Sequence, residues 1–176
     1  DRLRSRRVEL LLFALLWLTY GYFYQTAQHN EAARFDQLRS LLEEHTLAID
    51  TFAYNTADVI EYVKDGQKHI YPAKAPGTTF LAAAPFWLSM QLLRPFNRSP
   101  ALYWHLVAYF TIILTTGLLS ALSAVVMYRA LADLTHDRQS ALLAVIALWL
   151  GSISFPFSTL FFSHQQVASL LVGLGQ

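Results

Sequence analysis

Long uncharged runs alternate with one polar stretch along this chain. Four runs are long enough, or nearly so, to cross an apolar layer of about 30 Å, which takes roughly 20 helical residues. They are residues 10–24, 75–93, 99–128 and 139–155, with a fifth beginning near Gln165. None shows the period-two alternation of a half-buried strand, and a backbone in lipid must satisfy its own hydrogen bonds, so helices are the expected form. Aromatic residues gather at the ends of the runs, as in Trp17, Tyr20, Tyr22 and Tyr24 or Tyr103 and Trp104, which suits anchoring at a membrane interface. The pattern predicts an all-α polytopic membrane protein, a transmembrane helix bundle with spans at about 8–27, 75–93, 101–128 and 139–155 and a fifth from 165. A large first loop, 25–76, lies outside the membrane.

Within that loop the first part reads as an amphipathic juxtamembrane helix. Asn30 can cap it, Glu31 falls in the first turn where the helix dipole favours an acid, and Phe35, Leu38, Leu41 and Leu42 form a stripe at helical spacing. Such a helix lies flat on the membrane surface, its apolar side in lipid or against the bundle. Residues 47–54 and 56–62 are short and aromatic-rich, and Asp65-Gly66 is a turn signal. His69, Tyr71 and Lys74 therefore lie on the limb returning to the membrane.

Charge sharpens this picture. Of the 176 residues 55% are hydrophobic and only 14% charged, against about 25% charged in an ordinary soluble domain. Eight of the twelve acids fall in the loop, whereas residues 139–176 contain no Asp, Glu, Lys or Arg. The net charge of +1 says little beside this distribution, and no nucleic acid is expected as a partner. Without cysteine, no disulfide or thiolate metal site is possible. Arg2, Arg4, Arg6 and Arg7 precede the first run, which is longer than a signal-peptide core and reads as a retained anchor. The positive-inside rule puts that end in the cytoplasm and the loop on the outer face of the plasma membrane. If 75–93 crosses fully, Arg94 and Arg98 are cytoplasmic and Arg129 and Arg138 fall outside; a re-entrant element reverses this, and the full crossing is adopted. Beginning without Met and stopping in an apolar run, the sequence reads as the N-terminal part of a longer protein.

The loop supplies acids (Glu31, Asp50, Asp58), cations (Arg34, Lys74) and an imidazole (His69), followed by Ala75-Pro76-Gly77 at the start of a helix. Proline in a first helical turn lacks only a donor that is unpaired anyway, and glycine permits close approach. A phosphate can then meet Lys74 and the amides of the helix start. Plainer readings stand beside these: Lys74 as a snorkelling cation, Glu31 paired with Arg34, Asp50 as a cap and Asp58 as a solvated carboxylate. His164 ends a polar, proline-broken stretch, 155–166, of the kind that lines a cavity at membrane depth, and it equally suits an interfacial helix end. Carboxylates can hold a divalent ion, but no spacing here is diagnostic and no cofactor is assigned.

This layout resembles the GT-C superfamily of polyprenyl-phosphate-dependent glycosyltransferases, nearest its protein O-mannosyltransferase and aminoarabinose-transferase branch. His29-Asn30-Glu31-Ala32-Ala33-Arg34-Phe35 stands where that family has an acidic motif beyond its first helix. Tyr71-Pro72-Ala73-Lys74-Ala75-Pro76-Gly77 stands at its proline motif, and Ile49-Asp50, Thr56-Ala57-Asp58 and residues 155–164 resemble further elements. Asn30 replaces the first acid of the motif and takes up no proton at neutral pH, so a base role falls to Glu31, Asp50 or Asp58. The resemblance implies inverting transfer of a sugar from a lipid phosphate or diphosphate to a lipid, glycan or protein acceptor. A carboxylate serves as base, and Lys74, Arg34, His69 and His164 bind the donor phosphate. The alternatives are a flippase for a lipid-linked sugar and a non-catalytic scaffold subunit. A flippase concentrates polar groups within its spans, where this sequence offers chiefly His105.

Overall fold

A computed structural model describes residues 2–25, 29–64, 66–97 and 99–174, without the side chains of 2–5, 29 and 64. The described residues form α1 (Arg2–Tyr22), α2 (His29–Arg39), β1 (Val59–Lys64), β2 (Gln67–Pro72), α3 (Gly77–Leu93), α4 (Pro100–Ile112), α5 (Leu118–Thr135), α6 (Arg138–Gly151), α7 (Ser154–Ser158) and α8 (Ser163–Leu174). Asp65 and Arg98, which entered the turn and topology expectations, lie outside the described residues. The chain divides into two compact units, one of Asp1–Gln25 with Ile112–Gln176 and one of Thr26–Thr111.

In the first unit every fourth residue of α1 faces inward. Leu12, Leu16 and Tyr20 pack with Ala121, Ala124 and Tyr128 of α5 and with Ala141, Val145 and Trp149 of α6. The alanines let the helices approach closely, as small residues do in helix pairs. A π turn, Ile113–Gly117, precedes α5, and the Trp17 indole donates to the Ile113 carbonyl at 3.0 Å. Asp137 caps α6 by accepting the Gln139 N–H at 3.0 Å. A seam of buried Thr116, Ser120 and Ser123 meets buried Gln165, Gln166 and Ser169 of α8, with the Gln166 amide donating to Thr116 Oγ1 at 3.0 Å.

In the second unit α2 packs on α3 around Ala33, Leu38, Ile49, Phe52, Ala82 and Phe86. Thr79 Oγ1 donates to Gln37 Oε1 at 2.7 Å, and the Gln37 amide donates onward to the Leu47 carbonyl at 3.3 Å. The Arg39 guanidinium sits over the Phe52 ring at 4.0 Å and the Trp104 ring at 4.3 Å, a cation held by aromatic faces. β1 and β2 form an antiparallel hairpin running from Val59↔Pro72 to Lys64↔Gln67. Gly66, with φ of 78°, supplies the left-handed residue its tip requires.

Two expectations of fold are overturned. The chain is not an all-α polytopic bundle: it contains a small sheet, and among the described residues a single helix, Pro100–Thr135, is long and apolar enough to cross a membrane. Counting uncharged residues overstated the other runs, because prolines and turns end helices as well as charges do. α3 stops after 17 residues at Arg94-Pro95, α6 after 14 where Ser152 turns extended, and α8 is described for 12. α1 carries Arg6, Arg7 and Glu9 within its length. Nor does α2 lie with a polar face in solvent. Glu31, Arg34, Asp36 and Gln37 are buried along with Ala33 and Leu38, so its polar side is an inner side. A π turn, Ser40–Glu44, then shifts the register, leaving Leu41 and Leu42 only half-buried.

Candidate active site

The hairpin register assembles the site. Continuing one step beyond Val59↔Pro72, the Ala73 N–H donates to the Asp58 carbonyl at 3.0 Å. Asp58 at the entrance of β1 thus lies opposite the exit of β2. Thr56 Oγ1 accepts the Asp58 N–H at 3.1 Å and fixes the local turn. Lys74 then reaches back, its Nζ 3.2 Å from Asp58 Oδ1, both side chains partly exposed. The other Asp58 oxygen is buried without a hydrogen-bond partner.

Arg34 joins this pair from α2. Burial draws its guanidinium below its ordinary pKa, and the carboxylates of Asp58 and Glu31 work in the opposite direction. Asn30 Oδ1 accepts from Arg34 Nε at 3.4 Å, so the residue replacing the expected first acid orients the cation. Glu31 is fully buried one turn away. Four of the sequence-predicted residues, Glu31, Arg34, Asp58 and Lys74, therefore form one electrostatic cluster at the start of α3.

The remaining three stand elsewhere. Asp50 accepts the Ile70 N–H at 2.6 Å with one oxygen and contacts His69 Nδ1 at 2.8 Å with the other. Burial works to raise its pKa, yet the hydrogen bonds from His69 and Ile70 hold the carboxyl below its ordinary range. With Ile49 N–H donating to Ile70 O at 2.8 Å, Asp50 pins the preceding loop onto β2. His164 belongs to the other unit, where its ring lies 6.0 Å from that of Phe157 beside a cavity of about 330 Å³ that Gln165 also lines. Among the described residues no group of three His, Asp or Glu side chains converges as a metal site.

Sequence reasoning passed over Asp36. It is buried, accepts from the Asn55 amide at 3.0 Å, and leaves its second oxygen without a partner. It entered only the count of acids in the loop, and its one signal was the nearby pair Ala32-Ala33, small enough for close packing. Burial pushes its carboxyl up from 3.8 to about 6, against the Asn55 hydrogen bond and the charge of Arg39. The folded chain thus holds this proton more tightly than the unfolded one. Stability falls as pH rises from about 4 to about 6, by about 3 kcal/mol in all. Asp36→Asn is expected to raise the melting temperature at pH 7.5 and to flatten its decline across that window, as followed by thermal unfolding at stepped pH.

No family model, curated protein or solved structure matches the chain.

Proposed function

We propose that the chain is the donor-handling part of a membrane-attached glycosyltransferase. It takes a sugar from an isoprenoid phosphate or diphosphate and delivers it to an acceptor hydroxyl on the outer face of the plasma membrane. The observation that supports this reading is the convergence of Asp58 and Lys74, closed by the hairpin, with Arg34 and Glu31 from α2. The sequence resemblance to GT-C enzymes points the same way.

The chemistry follows from the pairing. With no donor bound, Lys74 rests on Asp58. An arriving phosphate offers Lys74 a stronger anion, and the first amides of α3, which begins three residues further along the chain at Gly77, are unpaired within the helix. Lys74 moves to the phosphate, and Asp58 is freed. Asp58 takes the proton of the acceptor hydroxyl as that oxygen bonds to the anomeric carbon. The carbon–oxygen bond to phosphate breaks, and the phosphate leaves with the electron pair, stabilised by Lys74 and Arg34. Glu31 keeps Arg34 in place, being too deeply buried to meet an acceptor.

The test uses the full-length protein in membranes, with a labelled glycosyl phosphate lipid as donor. Lys74→Gln is expected to reduce transfer about 100-fold, the scale of losing one preorganised contact to developing charge. Wild-type rates in that variant would remove the donor role of the cluster. Donor uptake across vesicles without any transfer by the wild-type protein would instead favour a flippase.

A further inference from the structure

We infer that the first unit carries a binding site for an anionic phospholipid, in the groove between α1 and the C-terminal half of α5. The groove encloses about 430 Å³ and is lined by the apolar Leu10, Phe13, Leu122 and Val125 together with Arg6, Glu9 and Arg129. Leu10 and Leu122 are strongly exposed there, at 68% and 47%, so an apolar surface stands open in a groove that two arginines also line. A second hollow of about 240 Å³ adjoins it, sharing Glu9 and Arg129 and adding Tyr128, Asp133 and Arg138. A mostly apolar groove that shares Arg129 with a more polar hollow offers room for an acyl chain beside a phosphate and a polar headgroup.

The balance of charge selects an anionic lipid. Glu9 is engaged by Arg129, its Oε2 2.5 Å from Arg129 Nη2, and only 13% of its side chain is exposed. That pair is neutral, and its geometry leaves further N–H donors of Arg129, which is 59% exposed, directed elsewhere. Among the described residues Arg6 makes no ion pair, so it sets the sign of the groove. The position in the chain agrees. These cations lie near the C-terminal end of Pro100–Thr135, the helix long and apolar enough to cross a membrane, where phosphates of the adjoining leaflet stand. Basic pockets between helices at that level take anionic headgroups. None of these residues belongs to the cluster of Asp58 and Lys74, so the inference stands apart from the transferase reading.

The experiment is lipid titration of the delipidated full-length protein, followed by native mass spectrometry, with phosphatidylglycerol and phosphatidylcholine of identical chains. Phosphatidylglycerol is expected to bind about tenfold tighter than phosphatidylcholine. Arg6→Gln is expected to remove most of that preference, and Arg7→Gln, a neighbouring cation outside the groove, to keep it. Leu122→Trp, which fills the groove and leaves the Arg129–Glu9 pair intact, is expected to weaken both lipids at least fivefold. Equal binding of the two lipids by the wild-type protein, or equal losses in Arg6→Gln and Arg7→Gln, would overturn the site. So would displacement of the lipid by millimolar inorganic phosphate with Leu122→Trp unaffected, since the groove would then hold only an anion.

Discussion

Replacing Asp58 by asparagine is expected to lower sugar transfer about 1,000-fold while leaving donor binding and folding nearly unchanged. The size follows from losing a positioned proton acceptor, which contributes roughly 10² to 10⁴ in rate. Specificity follows from the structure. An asparagine side-chain oxygen still accepts from Lys74, the Thr56 and Ala73 contacts to the Asp58 backbone persist, and a partly exposed ion pair is worth no more than about 1 kcal/mol. The loss therefore appears in kcat, with little change in KM for the lipid donor. Asp58→Glu, which keeps the charge at a displaced position, recovers part of the rate. Transfer assays at saturating donor, with varied acceptor and pH, separate this from the Lys74 variant, whose defect lies in donor affinity and leaving-group departure. Full activity of Asp58→Asn would remove Asp58 from the base role.

Replacing Arg34 by methionine is expected to destabilise the second unit by about 3–5 kcal/mol, the scale of removing one partner from a buried charge pair. Glu31 has no exposure to water, and the guanidinium is a charge that acts on both Glu31 and Asp58. Without it, a buried carboxylate loses a cation that acts on it. The double variant Glu31→Gln with Arg34→Met removes both charges and is expected to regain at least half of the loss. Denaturant unfolding of all four proteins forms a double-mutant cycle that isolates the coupling. If Arg34→Met alone stays within 1 kcal/mol of wild type, the buried acid draws its compensation elsewhere.

Much of the polar segment was legible from its residues. Glu31 in a first turn, a turn at Gly66 and the placing of Lys74 on a returning limb all follow from local chemistry. Local chemistry also suggested Arg34 as a partner of Glu31, three residues away on a helix. The meeting of Asp58 with Lys74 was not legible, because strand register depends on partners sixteen residues apart in sequence. The apolar runs misled for a different reason. Charge alone is an incomplete guide to helix ends, since α6 stops at Gly151 within an uncharged run, and hydroxyl and amide side chains such as Thr116, Ser120, Gln165 and Gln166 lie inside without interrupting such a run. The inward polar face of α2 was hidden likewise: its stripe of Phe35 and Leu38 marked one buried side, and only tertiary packing buries the other. What the count of spans lost, the cluster at the start of α3 kept, since it depends on the hairpin and one helix.

The hairpin also defines where this protein can be lengthened. Residues inserted between Lys64 and Gln67 extend the tip and leave every pair from Val59↔Pro72 onward in phase. One residue inserted within either strand reverses the faces of all side chains beyond it. A graft, tag or natural extension is therefore tolerated at the tip, and a single-residue insertion between Val59 and Val63 separates Asp58 from Lys74 without altering either residue.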